Sequence, residues 1–101
     1  MEKYFVLHKP IGDPAVGMAF FQKMAPGLAA DMAAGKVPAR ALKTWNPIPF
    51  GRVDYVFCLW EADRIEDIEA VLVDSGLATI VSADIMQVAE VDWQELALLV
   101  T

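Results

Sequence analysis

The chain contains one histidine, His8 in YFVLHKP, and it is the natural candidate for proton transfer. An unperturbed imidazole changes charge near neutral pH, which suits a general acid or base. A second chemical residue is Asp84 in SADIM, a carboxylate set among apolar neighbours. A charge on an apolar strand needs a partner, a raised pKa or water. Arg40 and Lys43 are its candidate partners, and an inward charge at a sheet edge also discourages edge-to-edge aggregation. If the strand carrying His8 runs beside the one carrying Asp84, then Ser82 or Asp84 is placed to orient the imidazole. The expected catalytic pair is His8 with Asp84, and the plainer alternative is a strand-end histidine in partly solvated surroundings.

Cys58 and Glu61 in YVFCLWEA are weaker candidates. Cys58 lies mid-strand, with no adjacent base and no helix N-terminus to activate its thiol, so it reads as a small buried hydrophobe. One cysteine and one histidine fifty residues apart match no metal-ligand spacing, and no metal or cofactor is expected. Glu61, Glu66 and Glu69 read as helix-start and surface charges. The glycines are isolated and form no phosphate-cradling loop, and no nucleophile elbow is visible.

Tyr4, Trp45, Tyr55 and Trp60 sit on or near neighbouring strands, with Ser82 close by in the expected fold. An aromatic wall carrying a few polar groups describes a pocket for a small apolar ligand. It describes a subunit interface equally well, because Trp and Tyr are enriched there. NPIPF, residues 46–50, reads as a lid or an edge-protecting loop, with Phe50 placed to cover such a pocket.

These residues need elements to position them. KYFVLH (3–8) alternates as a first strand. Asp13-Pro14 opens a helix whose stripe is Val16, Phe20 and Met24, and Pro26-Gly27 is expected to break or kink it. ALKTW (41–45) is a second strand, and VDYVFCLWEA (53–62) a third. Asp63 caps a second helix with Ile65, Ile68, Val71 and Leu72 inward, ending before Gly76. TIVSADIMQVAEV (79–91) is the fourth strand, and Asp92 caps a short terminal helix carrying Trp93.

The order β-α-β-β-α-β is the split βαβ, or ferredoxin-like, arrangement: an α+β single domain over residues 1–101, with a four-stranded antiparallel sheet and helices on one face. The third strand is apolar on both sides, so the uncovered face calls for a partner. Two sheets packing face to face supply one. Composition agrees, because 56% of the 101 residues are apolar, more than the roughly 45–50% of a usual domain, and a small domain has little interior to hold them.

The element order, the two-faced third strand and the junction FCLWEADRIEDIEAVL resemble the dimeric α+β barrel superfamily. The likeness is greatest to small uncharacterised bacterial members, with Trp45 ending the second strand and Glu61-Ala62-Asp63 following the third. The resemblance implies a barrel-like homodimer with a pocket between sheet and helices or at the dimer seam. Relatives include cofactor-free monooxygenases, muconolactone-isomerase-like enzymes, chlorite-dismutase-like haem proteins and nickel-binding proteins. The nickel binders rely on histidines, of which this chain has one.

The net charge of −6 repels phosphate backbones, so no nucleic-acid partner is expected. No apolar run approaches the ~18 residues of a membrane span. The N-terminal residues lack the pattern of a signal peptide, and one cysteine forms no internal disulfide. The expectation is a cytoplasmic homodimer that binds a small apolar or aromatic molecule. The alternative is a cofactor-independent isomerase or monooxygenase using His8.

Overall fold

The computed structural model describes residues 1–100. Strand β1 (Glu2–His8) leads to helix α1 (Pro14–Ala33), followed by β2 (Ala39–Trp45), β3 (Val56–Ala62), helix α2 (Ile65–Asp74), β4 (Asp84–Gln87) and helix α3 (Trp93–Leu98). The four strands form one antiparallel sheet in the order β2-β3-β1-β4. This is an α+β architecture compatible with a ferredoxin-like fold.

The period of two along the central strands sorts their side chains to opposite faces. Tyr4, Val6 and His8 of β1 and Cys58, Trp60 and Ala62 of β3 are all buried, and the residues between them are partly exposed. The buried set joins Met32 of α1 and Ile68, Val71 and Leu72 of α2 in one core. Both long helices therefore cover the same face.

Four features differ from the sequence expectation. Helix α1 runs unbroken through Pro26. Pro26 and Gly27 are exposed, so water can satisfy the carbonyl that Pro26 leaves without a donor. The inward stripe, Phe21, Met24, Leu28 and Met32, holds the helix through the break. That stripe is not the expected one, for Val16 is 66% exposed and Phe20 lies at the surface.

Helix α2 begins one residue late: its N-cap is Arg64, without a side-chain cap bond, and Asp63 does not cap. Glu66 and Asp67 in the first turn favour the helix dipole instead. The inward residues Ile68, Val71 and Leu72 are as expected, whereas Ile65 is partly exposed.

The fourth strand is short. Residues 77–79 form a 3-10 turn after Gly76, whose φ of +85° is a conformation that L side chains avoid. A Cβ there would also lie 3.0 Å from the ring of Phe20. The chain then makes a single bridge between Val81 and Pro10 before regular pairing starts at Asp84.

Strand β2 carries a bulge. Ala41 pairs with Trp60 and Lys43 with Leu59, leaving Leu42 as the extra residue. The period slips there by one. Ala41 and Thr44 consequently share the helix side, and Trp45, opposite Phe57, goes to the other side. The terminal helix is capped as expected, with the Asp92 carboxylate accepting from the backbone N–H groups of Gln94 and Glu95. Trp93 is 78% exposed.

Candidate functional site

Between α1 and the covered face of the sheet lies a cavity of about 330 Å³. Its volume falls in the range of small-molecule sites. The wall is almost wholly apolar. Phe21, Leu28 and Met32 come from α1, Val56 and Trp60 from β3, and Ile80 and Val81 from the segment before β4. Ala41 and Thr44 line it and are nevertheless exposed, so the cavity opens along the edge strand β2.

Two sulfur contacts fix the α1 wall to β2 and its loop. The Ala41 N–H donates to Met32 Sδ at 3.4 Å, beside the bulge. Asn46 Nδ2 donates to Met18 Sδ at 3.1 Å, while its Oδ1 accepts from the Ile48 N–H at 3.1 Å. That second pair folds residues 46–48 into an Asx turn. Ile48 therefore closes the cavity end, where Phe50 was expected; Phe50 is 87% exposed and does not line the cavity.

His8 is the polar residue of the interior, 4% exposed and a wall residue of the cavity. Its Nδ1 lies 3.0 Å from the Ser82 carbonyl oxygen. A carbonyl only accepts, so Nδ1 carries the hydrogen. In the neutral ring Nε2 is left with a lone pair. Burial lowers the His8 pKa from its ordinary value, and the hydrogen bond to Ser82 offsets this only in part. Around neutral pH the site thus holds a neutral imidazole of one fixed tautomer.

Asp84 is not its orienter. Asp84 pairs with Leu7 and is exposed, while its neighbour Ile85 packs on the core. The carboxylate therefore stands on the face opposite His8 and makes no ion pair among the described residues. Ser82 does serve, through its backbone: its carbonyl holds His8, while its Oγ accepts from the Lys9 N–H at 3.2 Å.

The four aromatics of the expected wall divide between the two faces. Trp60 lines the cavity, and Tyr4 is buried on the same face outside the lining. Trp45 and Tyr55 lie instead in an aromatic cluster on the open face. There Phe5 and Phe57 stack with centroids 6.1 Å apart, Phe5 meets Trp45 at 6.5 Å and Tyr55 meets Phe57 at 6.3 Å. Leu7, Leu59 and Met86 continue this surface by register. At its edge Glu61 bridges Lys3 at 3.3 Å and Arg40 at 3.6 Å, so Arg40 is engaged there and not with Asp84.

Cys58 is buried in the cavity wall, with Thr44 Oγ1 3.1 Å from its sulfur. Burial pushes its thiol pKa up, against the opposing effects of Thr44 and the nearby Trp60 N–H. At neutral pH it is therefore a protonated thiol and not a thiolate. The Trp60 N–H approaches this weak acceptor without the geometry of a hydrogen bond and remains unpartnered. Sequence reasoning missed the α1 contribution, Met18, Phe21 and Met32, because that helix is apolar nearly all round and its periodicity does not reveal its phase.

No group of three or more metal-ligating side chains occurs among the described residues, and no described helix is long and apolar enough to cross a membrane. Comparison with known protein families, with curated proteins and with solved structures finds no match for this chain.

Proposed function

We propose that this protein binds a small, neutral, largely apolar molecule between α1 and the sheet, and does so as a homodimer joined through the open sheet face. The observation that carries the reading is the cavity itself: an apolar enclosure, open at one edge, with a neutral imidazole in its wall. Apolar walls supply affinity through burial, and a few fixed polar groups supply orientation.

The dimer rests on the second face. Phe5, Trp45, Tyr55, Phe57, Leu59 and Met86 make a contiguous apolar surface bordered by the Lys3–Glu61–Arg40 charges. An apolar centre with a charged rim is the usual anatomy of a protein interface. Membership of the dimeric α+β barrel superfamily is part of this reading, supported by the strand order and that face.

A second reading, a cofactor-independent acid–base enzyme, is favoured by the fixed tautomer of His8 and its free Nε2. In that reading Nε2 accepts a proton from a molecule held in the cavity, and the Ser82 carbonyl stabilises the imidazolium that forms.

Native mass spectrometry of gently purified protein tests both parts together. The expected species is a dimer that releases a small organic mass on activation. A bare monomer would overturn the proposal. Turnover of the recovered molecule by the wild type and not by His8→Gln, with binding retained, would decide for the enzyme.

A further inference from the structure

His8 meets the cavity with one ring nitrogen that the chain leaves open. Nδ1 is committed to the Ser82 carbonyl, and Nε2 has no partner among the described residues. Nε2 is nevertheless not sealed in the core. Among the described residues, Trp60 Nε1 is the one side-chain nitrogen or oxygen buried with neither solvent contact nor a partner. His8 is 4% exposed and lines the cavity, so the space that Nε2 reaches is the cavity.

The ring is held firmly in that position. The Ser82 N–H donates to the Lys9 carbonyl at 2.8 Å, and the Lys9 N–H donates to Ser82 Oγ at 3.2 Å. The bridge between Pro10 and Val81 continues this pairing. The carbonyl that takes the Nδ1 hydrogen is thus fixed by its own backbone, and the Nε2 lone pair is a preset acceptor.

The other polar side chains of the wall are engaged within the chain. Thr44 Oγ1 meets Cys58 Sγ, Asn46 is bonded to Met18 and Ile48, and Arg40 pairs with Glu61. Among the described residues no Asp or Glu lines the cavity. A buried ammonium would lack a counter-charge there, and a carboxylate would set its own lone pairs against Nε2. A hydrocarbon that displaces water from Nε2 leaves the nitrogen unpaired, at the full cost of its desolvation. A hydroxyl hydrogen restores the bond without bringing in a charge.

Building on the binding function proposed above, we infer that the cavity's occupant is an uncharged, largely apolar alcohol or phenol whose hydroxyl donates to His8 Nε2. The apolar walls hold the body of the molecule, and the imidazole fixes its one polar end. His8 is a recognition residue in this scheme. It selects a hydroxyl over a methyl group of nearly the same size.

Two matched pairs of probes test the inference, each differing by a hydroxyl for a methyl: 2-naphthol with 2-methylnaphthalene, and decahydro-2-naphthol with 2-methyldecahydronaphthalene. Each is titrated into the wild-type protein, with 2-naphthoate as the charged control, and followed by the ring nitrogens of His8 in nitrogen-15 NMR. The single histidine of the chain makes their assignment direct. In at least one pair the hydroxyl compound is expected to bind roughly five- to tenfold tighter than its methyl counterpart and to move the Nε2 signal upfield. The pair with the larger preference tells a phenol from an alcohol. His8→Phe should remove the preference while retaining binding of the methyl compound; if that variant fails to fold, the wild-type preference and the Nε2 shift decide alone. Equal binding within both pairs, or a preference with Nε2 unmoved, would overturn the inference and leave the cavity reading intact. Binding of 2-naphthoate more tightly than either hydroxyl compound would overturn the requirement for an uncharged ligand. Binding of none of the five would overturn the cavity reading together with the inference that rests on it.

Discussion

The two faces of this sheet are built from alternate residues of the same strands, yet they do different things. The covered face holds His8, Cys58 and Trp60 in an enclosed space, where polar groups change their acid–base behaviour. The open face holds Phe5, Phe57 and Trp45 in a stacked layer, with its charges kept to one edge. Side chains of similar hydrophobicity thus make a cavity where a helix bridges over them and an exposed aromatic layer where nothing does. Position relative to α1 decides the role, and residue type does not.

The comparison is broken most severely by a charge at the centre of the open face. If the proposed homodimer forms through this face, Phe57→Lys should convert it wholly to monomer in light scattering at micromolar concentration, with the far-ultraviolet circular dichroism unchanged. A variant that remains dimeric would remove the open face from the interface. Next in size is Ile68→Ala on the covered side. Ile68 is completely buried, so the truncation should cost about 2–5 kcal/mol in urea unfolding. A loss below ~1 kcal/mol would show that α2 is not anchored in the core as described.

His8 sharpens the contrast through pH. Its folded pKa is lowered, so just below pH 6.5 the unfolded chain binds a proton that the folded one refuses. Its contribution to stability is complete above that value and is lost as pH falls toward the folded pKa. His8→Gln should flatten this part of the stability profile in thermal melts between pH 5 and 7, and an unchanged slope would argue against a buried neutral imidazole. The smallest effect belongs to the rim. Glu61→Gln weakens both half-buried ion pairs, and it should alter monomer stability by about 1 kcal/mol or less. A larger loss would mean that the rim charges are desolvated.

The element order and much of the core were legible from the residues. The inward triad of α2 follows from a clean period, and the two apolar sides of β3 signalled that both faces of the sheet would carry apolar side chains. His8 was identifiable because a single histidine among strand formers stands out. Its orienter was not, because the choice between Asp84 and the Ser82 carbonyl depends on the register of β4 against β1, which composition does not encode. The phase of α1 was obscured by its nearly uniform apolarity. The segment at residues 79–83 reads as strand by propensity, but the preceding 3-10 turn restricts it to a single bridge. Strict alternation along β2 would put Trp45 on the cavity side with Ala39 and Ala41, but the bulge at Leu42 interrupts it without a glycine or proline to mark the place.

That bulge has a further consequence. Deleting Leu42 would leave Ala41, Lys43, Thr44 and Trp45 in strict alternation on the sides they already occupy, opposite Trp60, Leu59, Cys58 and Phe57. Pairing Leu42 regularly would do the reverse: Trp45 would turn inward to fill the space lined by Thr44, and Thr44 would be carried to the open face. The one unpaired residue is thus a phase-setter, which keeps the small side chain at the cavity and the large one outside it.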